Sequence, residues 1–289
     1  MGKFQGFSTQ SISSSTIELE YLETGGPRIT SLKFKGSTNL FADISRSVPT
    51  PWGDFHFMGG HRLWHSPESK PRTYVPDEDG LTVEKLTDGL LLKGKVEPGT
   101  GIRKSIEIHL EKESSTVKLT HFLTNEGLWD VALAPWALTM FRLGGTAILP
   151  IQPTDSDPAS LLPDRHISLW PYSHLDDPRL HWGDDLVLLK AVAGSPPFKI
   201  GMFNPVGWMA YYIDGILFQK TFDSNQNRLY PDFGCNAESY SGDEFIELES
   251  LGPIQRIAPG CSISHQETWE VFDDLRKASI PEKYHHLLK

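Results

Sequence analysis

Residues 207–222 read GWMAYYIDGILFQKTF, and this stretch decides the fold class. Two runs of apolar and aromatic residues flank Asp214-Gly215, a dipeptide that tolerates positive φ and suits the type I′ turn of a two-residue hairpin. Strand, tight turn and strand together predict an antiparallel β-hairpin.

The same period-two alternation recurs upstream. TIELEYLET (16–24) predicts a half-buried strand, and GIRKSIEIHL (101–110) with STVKLTHFLTN (115–125) predicts a second hairpin. Helical signals are few, the best being the carboxyl-terminal stretch 272–289, where Pro281 either separates two short turns or marks the first turn of a closing helix. The proline-rich segment 152–185 predicts a long irregular excursion that lines a site or clamps a sheet edge. The chain is therefore predicted to be all-β with few short helices.

The composition and length of the chain indicate the kind of secondary structure and the number of domains. The chain has 289 residues, 38% of them hydrophobic, and contains 25 Gly and 21 Pro, which favours many short elements joined by turns. We expect one domain over residues 1–289, with a core at roughly 15–272 and a peripheral tail at 273–289, because no repeat or linker divides the chain.

The charge and the cysteine content limit the classes of partner and metal that the protein can bind. The net charge is −10, which argues against nucleic acid and anionic membrane surfaces as partners. The start of the sequence lacks the apolar core of a signal peptide and no stretch is long enough to span a bilayer, so we expect a cytoplasmic protein. Cys235 and Cys261 are the only cysteines, which excludes a cysteine-ligated metal site, and no metal or cofactor is expected. The oligomeric state stays open.

The densest polar cluster is MGGHRLWHSPES, residues 58–69, which holds His61, Arg62, His65 and Glu68 behind a Gly-Gly pair. Three interpretations remain open. The histidines could bind a metal, although HExxH is absent; the cluster could be a loop whose polar groups satisfy one another; or it could form a pocket for a sugar or an anion.

Aromatic and amide groups occur together in LTNEGLWDVALAPWALTMF, residues 123–141. Indole rings such as those of Trp129 and Trp136 stack on the apolar faces of pyranose rings, and the amide of Asn125 is suited to sugar hydroxyls. Burial in the core explains the two tryptophans equally well.

One lysine falls on an apolar strand face. Alternation places Lys220 with Phe218 and Phe222, where it needs an anionic partner or a polar cavity, unless it lies at an edge and reaches solvent along its stem.

Carboxylates cluster near the end of the chain. In FIELES (245–250) alternation places Glu247 and Glu249 on one face, with Glu238 and Tyr240 just upstream. Two carboxylates on one face repel, and this raises a pKa toward the value that a general base needs, although an ordinary solvated face has the same pattern. His265, Glu267 and Trp269 share another strand face, in the core or at a pocket.

The order of these blocks resembles the galactose mutarotase-like, or aldose 1-epimerase-like, superfamily, and most closely its uncharacterised bacterial branch known only as a domain of unknown function. The resemblance spans roughly residues 15–272. It is carried by GPRITSLKFKGSTNLF (26–41), GGHRLWHSPE (59–68), LTNEGLWDVALAPWALT (123–139), GGTAILP (144–150), FQKTF (218–222), ESY (238–240), FIELESLGP (245–253), IAPG (257–260) and HQETWEVF (265–272).

The resemblance implies a β-supersandwich of two large antiparallel sheets with a carbohydrate cleft. It also implies anomer interconversion without a cofactor, in which a glutamate takes the proton of the anomeric hydroxyl and a histidine protonates the ring oxygen. Glu249 matches the base, with Glu238 as the alternative. Where the superfamily has its histidine, this chain has Pro135-Trp136.

The leading hypothesis is therefore an aldose 1-epimerase. It assigns Glu249 as base and His61 or His65 as acid, with His121 as a third candidate for the acid. Arg62, Glu68, Asn125, Trp136, Lys220, Glu238 and Glu247 are the expected substrate-binding residues. Arg62 with Lys220 hints at an anionic sugar.

Two alternatives remain. A non-catalytic carbohydrate-binding or sensing domain would explain the missing histidine. A metal-assisted hydrolase or lyase would instead use His61, His65 and Glu68.

Overall fold

The computed structural model describes residues 2–152, 159 and 161–288. The described chain is built almost entirely from β-strands, with one short helix, α1 (Lys70–Thr73), and two 3-10 turns, Leu275–Lys277 and Glu282–Leu287. In chain order the strands are β1 (Gly2–Phe4), β2 (Phe7–Ser13), β3 (Ile17–Leu22), β4 (Arg28–Phe34), β5 (Asp43–Thr50), β6 (Gly53–Ser66), β7 (Thr82–Leu86), β8 (Gly89–Val96), β9 (Ile102–Leu110), β10 (Thr116–Asn125), β11 (Val131–Arg142), β12 (Thr146–Pro150), β13 (Ile167–Leu169), β14 (Leu180–Trp182), β15 (Leu186–Lys190), β16 (Phe198–Met202), β17 (Trp208–Ile213), β18 (Ile216–Phe222), β19 (Ala237–Ser241), β20 (Phe245–Leu251), β21 (Gln255–Ile257) and β22 (Ser262–Phe272).

The strands form two large antiparallel sheets. The first has the order β1-β2-β3-β4-β6-β11-β20-β19-β16-β13, with β5 beside β6 and β21 beside β11. The second has the order β14-β15-β12-β17-β18-β22-β10-β9-β8-β7. The predicted all-β supersandwich with few short helices is confirmed.

The hairpin that decides the fold class forms as predicted. β17 pairs with β18, and Asp214 (φ 50°) and Gly215 (φ 80°) take the two left-handed positions of the turn. β9 and β10 form the second predicted hairpin. In both cases a short local turn and a matching apolar face specify the register.

One large hydrophobic core lies between the sheets. It takes alternate side chains from both, such as Leu63 and Leu248 from the first sheet and Ile106 and Phe218 from the second. Trp269 is buried at its centre, against Phe41 and Phe218. The opposite face of the first sheet carries two smaller hydrophobic clusters, and some of their members line the candidate site.

The proline-rich segment 152–185 supplies one edge strand to each sheet. β13 pairs with β16 at one edge of the first sheet, and β14 pairs with β15 at one edge of the second. The part of the expected irregular segment at residues 153–158 and 160 lies outside the described residues.

The carboxyl-terminal tail covers the outer face of the second sheet. Leu275, Ile280, Tyr284 and Leu288 pack there against side chains of β12, β15, β17 and β18. Its two 3-10 turns lie on either side of Pro281, which agrees with the first of the two predicted alternatives.

No helix in the described ranges combines the length and the apolar character needed to cross a membrane.

Candidate functional site

The candidate site lies on the face of the first sheet that points away from the second. Strands β6, β11, β20, β19 and β16 are consecutive neighbours in this sheet. Because side chains alternate along each strand, every second residue of each strand points to this face. The site therefore draws its residues from five strands that are far apart in the sequence.

A cavity of about 690 Å³, here called the main chamber, opens on this face. Its aromatic lining residues are Phe57, Trp64, Tyr74, Trp136, Tyr172, Tyr240 and Phe245. Its charged lining residues are Arg46, Arg62, Glu68, Lys70, Lys199 and Glu247. Concave, largely apolar walls with a few convergent polar groups are typical of small-molecule sites.

Arg62 is the buried cation of the main chamber. Its guanidinium carbon lies 4.2 Å from the centre of the Trp64 ring, and its Nη1 donates to the carbonyl oxygen of Phe57 at 2.9 Å. Burial, with nearby Arg28, lowers the pKa of Arg62 to about 10, so the side chain stays charged at neutral pH. Nε and Nη2 have no hydrogen-bond partner among the described residues, which leaves donors for a ligand.

Glu247 faces Arg62 across the chamber. Its Oε1 lies 3.6 Å from Nη2 of Arg62, too long for a hydrogen bond, and has no other partner in the described part of the chain. Burial, together with the charge of Glu249, raises the pKa of Glu247 to about 8. The carboxyl group is therefore mostly protonated at neutral pH and can donate a proton or a hydrogen bond.

A buried group of charges lies below the Trp136 ring. Lys199 Nζ pairs with Glu249 Oε2 at 2.9 Å and with Glu238 Oε2 at 2.8 Å. The indole N–H of Trp136 also donates to Glu249 Oε2, at 2.8 Å. Glu249, expected to be the base, is thus held beneath the tryptophan, while Lys199 lines the chamber.

The two glutamates share one lysine. Burial acts to lower the pKa of Lys199, but Glu238 and Glu249 together raise it well above its usual value. Burial raises the pKa of Glu238 well above its usual value, with Lys199 acting the other way. Lys199 therefore stays charged at neutral pH between the two carboxyl groups.

Glu68 lies at the exposed rim of the same chamber. It comes from the loop between β6 and α1, and its Oε1 accepts a hydrogen bond from the hydroxyl of Tyr74. It is the second carboxyl group of the main chamber.

His61 and His65 do not reach the chamber. In β6, Arg62 and Trp64 point into the site, so the odd-numbered neighbours point between the sheets. His65 lies 3.5 Å from Glu97, and His61 lies against Trp269 in the core. The expectation that they approach the cleft is corrected for this geometrical reason.

His121 lies in the same interior as His61, and the hydrogen bonds fix both tautomers. Its Nδ1 faces the carbonyl oxygen of His265 at 3.0 Å and must carry the proton, so its Nε2 accepts from His61 Nε2 at 2.7 Å. His61 Nδ1 then accepts from the hydroxyl of Thr139 at 2.9 Å. Burial lowers the pKa of both histidines, in agreement with two neutral rings.

Lys220 is likewise between the sheets, where it pairs with Glu267 at 2.8 Å. Glu267 also accepts from the Ser250 hydroxyl and from the indole N–H of Trp269. The needed anionic partner is thus Glu267, and both side chains are fully buried. Lys220 was expected to orient a ligand, but the sheet separates it from the main chamber.

Asn125 has a local structural role. Its amide nitrogen donates to the carbonyl oxygens of Trp129 and Ile257, and its amide oxygen accepts from the Gly127 N–H. The side chain closes the loop between β10 and β11, and it does not line the main chamber.

The residues of the metal hypothesis are not brought together, since His61 and His65 lie inside the sandwich while Glu68 lies in the cleft. Another group, His61, His121 and Glu267, has donor atoms within 4.8 Å of one another. Each of these atoms already has a hydrogen-bond partner, so the network is complete without an ion.

Several chamber residues were missed by sequence reasoning. Lys199 lies in FKIGM (198–202), where an isolated lysine between Phe198 and Ile200 gives little signal. Tyr74 and Tyr172 come from irregular segments. Their place in the site depends on long-range strand pairing.

Comparisons with known proteins agree with this architecture. No protein-family model and no curated protein matches the sequence. Among solved structures, a galactose mutarotase-like protein from Lactobacillus casei ATCC 334 is similar with a TM-score of 0.54 at 11% identity, over 92% of this chain and 100% of that one.

Two further structures are similar over nearly their full length. A candidate aldose 1-epimerase from Escherichia coli K12 gives a TM-score of 0.54 at 14% identity, over 92% of this chain and 99% of that one. A protein from Synechocystis sp. PCC 6803 gives 0.57 at 11% identity, over 95% and 99%.

The molecule is therefore a two-sheet antiparallel sandwich with a cleft on one outer face. Its fold is the galactose mutarotase-like fold, which confirms the resemblance at the level of the fold. The assignment to a particular bacterial branch stays a prediction.

Proposed function

We propose that the protein binds a carbohydrate in the main chamber. The observation that carries the proposal is the combination of an aromatic lining, which includes Trp64 and Trp136, with buried polar atoms of Arg62 and Glu247 that have no hydrogen-bond partner among the described residues. Indole faces suit the C–H faces of a pyranose ring, and unpartnered buried donors and acceptors gain most from hydroxyl groups.

The polar groups of the main chamber are of two kinds. Arg62 and Lys199 supply N–H donors, while Glu247 and Glu68 supply carboxyl groups that accept, or donate when protonated. A neutral sugar has hydroxyls that satisfy both kinds of group. The fold similarity to a galactose mutarotase-like protein supports the same class of ligand.

A second candidate function, anomer interconversion, is favoured by the raised pKa of Glu247. With a pKa of about 8, its protonated carboxyl is matched to general acid catalysis near neutral pH. Glu68 is the chamber's other carboxyl group and would accept the proton of the anomeric hydroxyl. The ring would open as Glu247 protonates the ring oxygen, and closure from the other face would give the other anomer.

Binding is tested by isothermal titration calorimetry with glucose, galactose, mannose and xylose. We expect saturable binding by at least one sugar, and a loss of about tenfold in affinity for Arg62→Lys, which cannot reproduce the planar stacked guanidinium. Binding that is unchanged in Arg62→Lys and in Trp136→Ala would reject this chamber as the site.

Catalysis is tested separately, by proton NMR saturation exchange between the anomers of any sugar that binds. Acceleration that is lost in Glu247→Gln and retained in Glu249→Gln would support the second function. Binding without acceleration in the wild type would leave a carbohydrate-binding protein.

A further inference from the structure

A second cavity, here called the side chamber, adjoins the main one. It has a volume of about 340 Å³, and it shares Glu68, Lys70, Trp136 and Lys199 with the main chamber. The two cavities are therefore adjacent, and these four residues line both of them.

Lys199 marks the junction. Its Nζ lies 4.7 Å from the centre of the Trp136 ring and 4.5 Å from that of the Trp170 ring. Trp136 belongs to both chambers, whereas Trp170 lines the side chamber alone. The side chamber thus adds the indole ring of Trp170 to the shared Trp136 and the shared cation.

The combined space is too large for one sugar ring. A hexopyranose fills roughly 200 Å³ at the packing density of a protein interior, whereas the main chamber alone measures about 690 Å³ and the side chamber adds about 340 Å³. A single ring that meets Arg62 and Glu247 in the main chamber would leave the side chamber free for a second ring.

An exposed aromatic ring stands beside the side chamber. Asp232 lines this chamber, and the next residue, Phe233, is 94% exposed. Both residues have positive φ, 51° and 65°, which is unusual for a bulky aromatic residue and costs free energy.

The turn that carries Phe233 is held in place by its backbone. The Cys235 N–H donates to the carbonyl oxygen of Pro231 at 2.8 Å, and the Ser168 hydroxyl donates to the carbonyl oxygen of Asp232 at 3.1 Å. The ring is exposed, so it is accessible to a ligand that extends beyond the side chamber.

From the two adjacent chambers, the indole ring that the side chamber adds and the exposed Phe233 next in sequence to Asp232, we propose that the ligand is the end of an oligosaccharide, not a free monosaccharide. The terminal ring lies on Trp136 in the main chamber, the next ring lies beside Trp170 in the side chamber, and Phe233 contacts the chain where it leaves the cleft. This proposal rests on the proposed carbohydrate binding, and it names the class of carbohydrate.

The test compares sugars of different length. Isothermal titration calorimetry is run with matched mono-, di- and trisaccharides of glucose, galactose, mannose and xylose. We expect the disaccharide of the preferred series to bind at least about tenfold more tightly than its monosaccharide, since the second ring adds an aromatic contact and hydroxyl hydrogen bonds.

Two variants test which residues give the added affinity for longer sugars. Trp170→Ala is expected to remove most of the gain from the second ring, and Phe233→Ala most of any gain from the third, while both keep the monosaccharide affinity. Trp129→Ala is the control, because Trp129 is 80% exposed and lines neither chamber. Thermal melting verifies that each variant is folded.

The outcomes separate the two proposals. Equal affinity for mono- and disaccharides would overturn the oligosaccharide proposal and leave carbohydrate binding intact. A gain with length that survives in both Trp170→Ala and Phe233→Ala would also overturn it. Absence of binding for every sugar of the panel would reject the proposed function, and the oligosaccharide proposal with it.

Discussion

Lys220 and Lys199 are both buried lysines paired with glutamate, but the structure gives them different roles. Lys220 lies between the sheets, 2.8 Å from Glu267. At an effective dielectric constant of about 20, two unit charges at this distance attract by roughly 6 kcal/mol. Lys220 also donates to the Leu248 carbonyl oxygen at 2.9 Å. Because Lys220→Met leaves Glu267 buried and unpaired, we expect it to lose about 3–5 kcal/mol of stability.

This change has two separable readouts. Urea unfolding should show the loss of stability, and the melting temperature should fall by roughly 6–15 °C. Sugar affinity, measured well below the melting temperature, should stay within about twofold of wild type, since the ion pair is separated from the cleft by the sheet. The matched variant Lys199→Met should lose affinity about tenfold or more, because Lys199 lines both chambers.

A third variant tests the cause of the destabilisation. Lys220→Met combined with Glu267→Gln removes both charges and should recover part of the lost stability. The reasoning is refuted if Lys220→Met weakens sugar binding while leaving stability unchanged, because Lys220 would then act on the ligand as the sequence suggested.

Three further variants test the site and the interior. Burial lowers the pKa of His265 to about 3. Its contribution to stability is therefore full above pH 6.5, and it is lost at lower pH because the unfolded state then binds a proton. Between pH 7 and 5, urea unfolding should show that the wild-type protein loses roughly 2 kcal/mol more stability than His265→Asn. Burial raises the pKa of Glu247 to about 8, so the wild-type protein loses stability as pH rises and the unfolded state ionises first. The stability of Glu247→Gln relative to wild type should therefore increase by about 1.4 kcal/mol per pH unit between about pH 5.5 and 7, and a flat difference would mean an ordinary pKa. Asn125→Ala, which loses three hydrogen bonds to backbone groups, should lower the free energy of unfolding by about 2 kcal/mol without changing sugar affinity, and a weaker calorimetric affinity would return Asn125 to the site.

Local patterns were sufficient for several strands of this fold. The hairpin around Asp214-Gly215 could be predicted because both its turn and its alternation are local. FIELES correctly placed Glu247 and Glu249 on one face. The pattern could not tell whether that face is solvated, since its burial comes from Trp136 on a neighbouring strand and from Lys199 two strands away.

The assignment of His61 and His65 shows what local sequence leaves out. Alternation separates them from Arg62, but only the packing of the second sheet decides which side is interior. Once Arg62 faces the cleft, its neighbours His61 and His65 must face the core. Lys220 and Lys199 differ in the same way, because the face of each lysine is set by sheet packing that a short strand does not encode.

The most direct test of carbohydrate binding in the cleft is a proton–nitrogen NMR titration of the eight tryptophan indole groups. The Trp136 and Trp129 signals are assigned by Trp136→Phe and Trp129→Phe. With the preferred sugar from calorimetry, we expect a saturable shift of the Trp136 signal and none for Trp129. Saturation without any shift of Trp136, or a shift confined to Trp129, would contradict the assignment of the binding site to this cleft.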